Sequence, residues 1–181
     1  MRFAYADPPY LGKALVYDHP EAARWNDLET HRALIQQLQD EFPDGWCLSM
    51  GAYNLRDLLP LCPPDVRIGA WVKEWTSSMA FIRRAWEPFV WRGGRKLDWH
   101  GQPTTRDWIM AAMNPMQPDK VKGFYGQKPI EFCRHVLVVL GVQPGDEVVD
   151  LFPGTGTMGR AVAERTQPMP LWRQSELLAS P

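Results

Sequence analysis

The chain has 181 residues, of which 45% are hydrophobic, and a formal net charge of −1. This length and composition suit one compact domain with a sizeable core, and we expect a single domain over 1–181. No stretch approaches the roughly 18 uncharged apolar residues of a membrane span. Asp7 interrupts the start of the chain too early for a signal peptide. These features exclude a membrane-spanning protein and predict a cytoplasmic one.

The three cysteines show no pattern of disulfides or metal ligands. Cys47, Cys62 and Cys133 are widely spaced and form no Cys-x-x-Cys pair. The four histidines do not cluster with them, and Cys133 and His135 would point to different faces of one helix. We therefore expect neither a disulfide nor a metal site.

Charge is distributed unevenly along the chain. Residues 1–66 hold 5 basic and 10 acidic residues, residues 67–128 hold 11 and 5, and residues 129–181 hold 4 and 6. The middle third is thus a basic segment between two acidic ones. A phosphate backbone would favour such a segment, although ordinary solvated loops also produce this pattern.

The first half of the chain alternates between predicted strands and helices. A short strand over 3–6 ends at Pro8-Pro9, because proline cannot donate to a strand ladder. A loop over 11–26 leads to a helix over 27–40, whose apolar residues recur at helical spacing. The elements predicted next are a strand over 46–50, a short helix over 54–61, and strands over 66–72 and 86–91.

The second half contains one irregular region followed by clear elements. Regular periodicity fails between residues 93 and 126, where Gly, Pro and polar residues dominate. The elements predicted after it are a helix over 130–140, a strand over 147–152, a helix over 158–165 and a candidate short strand over 169–173. Strands that alternate with helices predict an α/β fold with a largely parallel sheet.

A glycine-rich turn over 153–157 joins a predicted strand to a helix. Glycines let the backbone approach a ligand closely, and a helix start presents free N–H groups. Gly154, Gly156 and Gly159 also fit the G-x-G-x-x-G dinucleotide fingerprint, with Glu176 near the place of a ribose-binding acid. Only 22 residues follow Gly159, too few for the remaining strands of a dinucleotide-binding half unless the chain is permuted. The turn therefore predicts a cofactor site.

The first strand runs directly into Asp7-Pro8-Pro9-Tyr10. The prolines fix the backbone, so the Asp7 carboxylate, the Pro8 carbonyl and the Tyr10 ring are held at a strand's carboxyl end. Two acceptors that bond the hydrogens of an aromatic amino group would make its nitrogen more nucleophilic, and a stacked tyrosine would hold the base flat. The same residues also suit a plain strand-ending turn with a surface tyrosine.

Together, Asp7-Pro8-Pro9-Tyr10 and the segment 150–157, Asp-Leu-Phe-Pro-Gly-Thr-Gly-Thr, resemble the two signature motifs of DNA amino-methyltransferases. Their order is that of the permuted members, in which the catalytic motif precedes the cofactor motif. The segment 126–129, Gly-Gln-Lys-Pro, resembles the Lys-Pro cofactor motif, and 71–73 and 86–91 resemble the central strand motifs. Leu151 departs from the pattern, which usually has proline there.

This resemblance implies a circularly permuted Rossmann-like fold with a mostly parallel sheet of about six strands. It implies transfer of a methyl group from S-adenosylmethionine to a DNA base extruded into a pocket at Asp7, Pro8, Pro9 and Tyr10. Adenine N6 is the expected target, since N4-cytosine enzymes more often have serine at the Asp7 position. The cofactor-binding residues it implies are Asp150, Phe152, Gly154, Thr155, Gly156, Thr157, Lys128, Pro129 and Glu176.

The resemblance makes 93–125 an inserted target-recognition region, expected to form a small irregular lobe. Basic side chains there would contact phosphates, and tryptophans would stack or wedge near an extruded base. The loop over 11–26 is a candidate lid, in which Lys13 and Tyr17 would touch nucleic acid. The predicted nucleic-acid contacts are Lys13, Arg92, Arg95, Lys96, Trp99, Arg106, Trp108, Lys120 and Lys122.

Several assignments remain open from the sequence. Cytosine N4 and an RNA base are alternative targets, and a non-catalytic nucleic-acid-binding relic of the fold is a further alternative. Intact Asp7, Pro9 and Tyr10 argue against a relic, and cysteines without a Pro-Cys setting argue against cytosine C5 chemistry. The chain ends soon after the candidate strand over 169–173, so we expect that an edge strand is missing. A partner subunit in a homodimer would be one way to complete the cofactor pocket.

Overall fold

The computed structural model describes residues 1–17, 20–74, 81–96, 104–112 and 126–166. The six strands are β1 (Arg2–Ala6), β2 (Gly45–Ser49), β3 (Arg67–Lys73), β4 (Trp86–Gly93), β5 (Trp108–Ala111) and β6 (Glu147–Asp150). The four α-helices are α1 (Leu28–Glu41), α2 (Leu55–Leu58), α3 (Ile130–Val139) and α4 (Thr157–Thr166). Short 3-10 turns cover Ala14–Val16, Ala22–Asn26, Ala52–Asn54 and Leu59–Leu61.

The strands form one sheet in the order β5-β3-β4-β2-β1-β6. Strand β4 is antiparallel to both of its neighbours, and every other pairing is parallel. The predicted α/β fold with a mostly parallel sheet is therefore confirmed. We call the side of the sheet where β1, β2, β3, β5 and β6 end the carboxyl edge, and the opposite side the amino edge.

Helices cover both faces of this sheet. The side chains of β1 show which residues pack against the helices of each face. Phe3 and Tyr5 pack in one core cluster with residues of α3 and α4, whereas Ala4 and Ala6 pack in another with residues of α1. Alternate side chains of a strand point to opposite faces, which produces this division. Helix α1 begins at a capping residue, Asp27, whose carboxylate accepts a hydrogen bond from the Glu29 N–H at 3.1 Å.

One strand of the sheet, β5, comes from the segment predicted to be irregular, so that prediction is wrong for 108–111. Its four residues are too few to produce a clear period-two signal. The candidate strand over 169–173 lies outside the described residues, as do Trp99, Lys120, Lys122 and Glu176. The recognition role of 93–125, and completion of the pocket by a partner subunit, stay predictions.

Two smaller differences concern element boundaries. The segment 11–26, predicted to be a loop, contains two 3-10 turns, and β6 ends at Asp150 rather than at Phe152. Cys47, Cys62 and Cys133 are all free. In the part of the chain that the structure describes, no helix is long and apolar enough to cross a membrane.

Candidate active site

The two signature motifs, far apart in sequence, line one cavity of about 420 Å³ at the carboxyl edge. Strands β1 and β6 are parallel neighbours with Tyr5 opposite Asp150, so the segments that follow them leave the sheet side by side. Asp7 and Pro9 line the cavity from one motif, and the segment 150–155 lines it from the other. The volume lies within the range of small-molecule sites.

The glycine-rich turn leaves open space above its backbone. Gly154 and Gly156 have φ values of 47° and 76°, a left-handed conformation that favours glycine. A Cβ added to Gly156 would meet no atom within 4 Å. The Gln127 side chain donates to the Thr157 hydroxyl at 3.4 Å and so ties the Lys-Pro segment to this turn. A ligand can therefore approach the turn and the start of α4 closely.

Asp150 places a poorly stabilised carboxylate beside this open space. Burial raises its pKa to about 6, the Phe152 N–H that donates to it at 3.2 Å opposes the rise, and the charge of Asp7 adds to it. A carboxyl group perturbed in this way inside a cavity is typical of a binding or catalytic residue.

An aromatic wall closes another side of the cavity, and the sequence predicted only one of its two rings, Phe152. Trp25 and Phe152 meet edge to face, with ring centroids 5.0 Å apart, and both line the cavity. The Trp25 carbonyl bonds His31 Nε2 at 2.9 Å, which fixes the 3-10 turn to α1. Tyr17 also lines the cavity, whereas Lys13 is exposed close to Tyr10. No periodicity marks a tryptophan inside a loop, so only its burial identifies it.

Lys128 is bound to the catalytic motif. Its ammonium donates to the two Asp7 carboxylate oxygens at 2.8 and 2.9 Å and to the Tyr10 hydroxyl at 2.9 Å. Lys128 and Asp7 are 121 positions apart, and their side chains are 7% and 18% exposed. Lys128 also lines the cavity, so its predicted cofactor contact stays a prediction beside the observed one. Pro129, buried at the start of α3, is not among the cavity-lining residues.

A second carboxylate, Glu87, completes this buried charged cluster. The Tyr10 hydroxyl donates to Glu87 Oε2 at 2.8 Å, and Lys73 donates to Glu87 Oε1 at 2.5 Å. Lys128 Nζ lies 3.7 Å from Glu87 Oε2. Neither Lys73 nor Glu87 was assigned a role from the sequence, although a charged residue within an otherwise apolar strand is the signal that would have indicated one.

The cluster sets the protonation of its members. Burial acts to lower the pKa of Lys128, but Asp7 and Glu87 outweigh it, so the pKa is raised and the ammonium persists. Burial would raise the pKa of Glu87, yet Lys128 and Lys73 lower it below its usual value. Burial raises the pKa of Asp7, and Lys128 offsets only part of that rise. Asp7 is therefore the carboxylate of this cluster whose pKa is raised, whereas that of Glu87 is lowered.

Two of the predicted nucleic-acid contacts make ion pairs at the amino edge. Strand β4 runs antiparallel, so its last residue, Gly93, lies opposite Gly45 at the start of β2. Arg92 pairs with Asp65 at 2.9 Å, and Arg95 bonds both oxygens of Asp146 at 2.8 Å. These guanidinium groups therefore lie across the sheet from Asp7.

The remaining described candidates also lie away from the cavity. Lys96 follows Arg95 and is exposed. Arg106 precedes β5, the strand farthest from β1 on that side of the sheet, and its guanidinium lies 4.9 Å from the Trp108 ring centroid. The structure does not bring these side chains to Asp7, and their contact with nucleic acid stays a prediction.

Comparison with solved structures finds a similar fold in two structures of M1.HpyAVI and in one of a candidate DNA modification methylase. The M1.HpyAVI–SAM complex matches with a TM-score of 0.61 and 17% identity, over 90% of this chain and 77% of that one. A second structure of M1.HpyAVI matches at 0.58 and 15%, over 98% and 87%. A candidate DNA modification methylase from Thermus thermophilus matches at 0.52 and 16%, over 99% and 86%.

Comparison by sequence finds no counterpart. No family model matches the chain, and no curated protein matches it. The similarity is therefore one of fold, and it confirms the fold that the two motifs imply.

Proposed function

We propose that this chain is an S-adenosylmethionine-dependent DNA methyltransferase that acts on adenine N6. The observation that carries the proposal is the meeting of Asp7 and Pro9 with the segment 150–155 in one cavity, whose lining does not include Pro8 or Tyr10. A cofactor site and an acceptor for an amino group are thereby adjacent. One of the solved structures with this fold is a complex with the same cofactor.

The cavity residues fit S-adenosylmethionine. The open backbone at Gly156 admits a close ligand, the rings of Trp25 and Phe152 offer an apolar wall for its adenine, and Asp150 offers a carboxylate for its hydroxyl or cationic groups. When bound, the cofactor supplies a methyl group already activated on a sulfonium. Catalysis by the chain then rests on positioning and electrostatics.

Asp7 has two tasks in this proposal. Together with the Pro8 carbonyl it accepts hydrogen bonds from the amino group of the base, and this orients the nitrogen lone pair. When the nitrogen forms its new bond to carbon it becomes cationic, and Asp7 is placed to accept the proton that the nitrogen loses. The raised pKa of Asp7 favours that acceptance.

Lys128 controls the availability of Asp7. Its ammonium occupies both carboxylate oxygens, so at least one must be released when an amino group donates to Asp7. Glu87 Oε2 lies 3.7 Å from the same ammonium, so Glu87 is a second carboxylate to which Lys128 can donate when an Asp7 oxygen is released. Tyr10 stays in place meanwhile, because its hydroxyl is bonded to Glu87. Lys128 Nζ lies 5.1 Å from the centroid of the Tyr10 ring, so a base that stacks on Tyr10 would use the other face of the ring.

The proposal is tested by a transfer assay with methyl-labelled S-adenosylmethionine and unmethylated duplex DNA, followed by nucleoside digestion and mass spectrometry. We expect label in N6-methyladenine. Label in N4-methylcytosine would keep the reaction and change the base, and label only in an RNA substrate would move the enzyme to RNA. A chain that binds the cofactor but labels no nucleic acid would contradict the proposal.

Asp7→Asn is the variant that tests the mechanism in the same assay. We expect transfer to fall about 10³-fold, because the proton acceptor and its charge are lost. The variant leaves Lys128 with only Glu87 nearby, which we expect to lower the free energy of unfolding by about 3 kcal/mol. Melting must therefore be measured alongside. Asp65→Asn, the same change in an exposed ion pair at the amino edge, is the matched control and should retain transfer.

A further inference from the structure

Exposed hydrophobic and basic side chains are grouped at the start of β4, at the carboxyl edge of the sheet. Phe81 is fully exposed, Ile82 is 82% exposed, and Trp86 and Tyr53 are 41% and 37% exposed. We define the edge patch as Tyr53, Phe81, Ile82, Arg83, Arg84 and Trp86. Large apolar side chains grouped on a surface mark a binding site more often than they serve folding.

Strand pairing places Trp86, and with it the edge patch, at the same edge of the sheet as Asp7. Trp86 opens β4 opposite Val72, near the end of β3, and Tyr53 follows the end of β2. Strand β4 is two strands from β1, which corresponds to roughly 10 Å. The patch therefore lies on the same edge of the sheet as the mouth of the cavity.

Two hydrogen bonds connect the edge patch to the catalytic segment. Glu87, next to Trp86, accepts from the Tyr10 hydroxyl at 2.8 Å. Asn54, next to Tyr53, donates to the Leu11 carbonyl at 3.1 Å. The patch is thus held in a fixed relation to the residues expected to receive the base.

The arginines of the edge patch carry positive charge that the described residues do not neutralise. Arg84 stacks on Tyr53, with its guanidinium 5.1 Å from the ring centroid. Arg83 and Arg84 are exposed, and neither makes an ion pair within the described ranges. Arg92 and Arg95, by contrast, are paired with aspartates. Guanidinium groups held on an aromatic support suit a phosphate backbone.

We propose that the edge patch binds duplex DNA around the extruded base, with Arg83 and Arg84 on phosphates and Phe81 in the space that the base vacates. This inference rests on the proposed function and specifies where its substrate docks. Apolar side chains inserted at a base step offset the lost stacking, and arginines fix the backbone. The surface predicted from sequence, around Arg106 and Trp108, faces elsewhere.

The two surfaces contain a matched pair of variants. Arg84 lies over Tyr53 at 5.1 Å, and Arg106 lies over Trp108 at 4.9 Å. Arg84→Gln and Arg106→Gln therefore remove the same charge and the same type of contact. Their effects on DNA affinity can be compared directly.

The experiment measures binding of a fluorescent mixed-sequence duplex by anisotropy over a range of salt concentrations. We expect Arg84→Gln to weaken binding roughly three- to tenfold and to reduce the slope of log affinity against log salt by about one. Arg106→Gln should change both by much less. An equal or larger effect of Arg106→Gln, or no effect of Arg84→Gln, would overturn the inference.

Methyl transfer measured on the same preparations separates this inference from the proposed function. Transfer by the unsubstituted chain with unchanged binding by Arg84→Gln would reject the edge patch alone. Absence of duplex binding by the unsubstituted chain would reject DNA as the substrate, and this inference with it.

Phe81→Ala tests the wedge separately. We expect transfer to a fully paired target adenine to fall about tenfold, and transfer to the same adenine in a mismatch to fall much less, because a mismatched base is already easier to extrude. Ile68→Ala, 43% exposed near the start of β3 at the amino edge, is the control. Equal losses on the two substrates would contradict the wedge role.

Discussion

Asp146, directly before β6, and Asp150, the last residue of β6, have pKa values shifted in opposite directions. Asp146, at the amino edge, accepts hydrogen bonds from the terminal ammonium of Met1 and from Arg95, each at 2.8 Å. Burial acts to raise its pKa, but these partners outweigh it and hold the pKa at about 2. Asp150, at the carboxyl edge, has no such cationic partner among the described residues, and burial raises its pKa to about 6.

The same division extends over both edges of the sheet. Charges at the amino edge are paired within the fold: Arg92 with the exposed Asp65, and Asp146, whose side chain is 5% exposed, with Arg95 and the Met1 ammonium. Charges at the carboxyl edge are buried around Asp7 and Lys128, in the wall of a cavity. Burying charge is unfavourable unless partners or a ligand compensate it. This contrast indicates that the amino edge serves stability and the carboxyl edge serves function.

Two glycines that flank β6 provide the sharpest test of this contrast. Gly145 and Gly156 have φ values of 88° and 76°, and a Cβ at either would meet no atom within 4 Å. Gly145→Val and Gly156→Val should each introduce roughly 1–2 kcal/mol of backbone strain. Gly156 lies between the cavity-lining residues Thr155 and Thr157, so only Gly156→Val should also narrow the ligand space, and we expect it to weaken S-adenosylmethionine binding about 100-fold.

Isothermal titration calorimetry on the two variants measures this difference. Equal affinities for the cofactor would show that the turn after β6 is not its binding site.

Lys128→Met separates the two roles considered for that lysine. Lys128 lowers the pKa of Asp7, so its removal should raise that pKa further. The ionised form of Asp7 then requires a higher pH, and we expect the acid limb of the rate profile to move up by about one unit. Transfer rates from pH 5.5 to 9 and the cofactor dissociation constant check this, with melting as a control for folding.

An unchanged acid limb with a strongly raised dissociation constant would instead favour the cofactor contact that the sequence predicts.

Asp146→Asn and Asp150→Asn should differ in their effect on stability. The low pKa of Asp146 stabilises the fold above the unfolded value near 3.9, and this stabilisation is lost as the pH falls toward 2. Because solvent screens these ion pairs, we expect Asp146→Asn to cost about 1 kcal/mol at pH 7, or roughly 3 °C in melting temperature.

The raised pKa of Asp150 has the opposite sign. Stability is lost as the pH rises from the unfolded value through about 6, where the buried carboxyl ionises. Asp150→Asn should therefore melt no lower than the unsubstituted protein at pH 8, while it binds the cofactor less tightly. Melting curves at pH 4 and pH 8 test both variants, and a large loss of stability for Asp150→Asn at pH 8 would contradict the division between the edges.

Local sequence motifs were enough to predict the two segments that meet at the cavity. Asp7-Pro8-Pro9-Tyr10 and the glycine-rich turn are short segments whose chemistry is visible in the sequence, and parallel strands bring their carboxyl ends together. The contact of Lys128 with Asp7 spans 121 positions and depends on how α3 packs, so no local pattern reports it. Trp25 was missed for the same reason.

Strand direction explains why two of the predicted DNA contacts, Arg92 and Arg95, lie at the amino edge. The basic segment was recognised, but Arg84 and Arg92 lie near opposite ends of the eight-residue strand β4. Because β4 is antiparallel to its neighbours, Arg84 lies at the carboxyl edge and Arg92 at the amino edge. The composition of a segment gives only its number of charges. The strand topology is needed to know which of these charges lie at the same edge of the sheet as Asp7.

The most direct test of the central claim is a crystal structure of the chain with S-adenosylhomocysteine, the demethylated product of the cofactor. We expect the ligand above Gly156 and between Phe152 and Asp150, with its sulfur facing Asp7. A ligand bound elsewhere, or one whose sulfur faces away from Asp7, would contradict the assignment of the carboxyl edge as the active site.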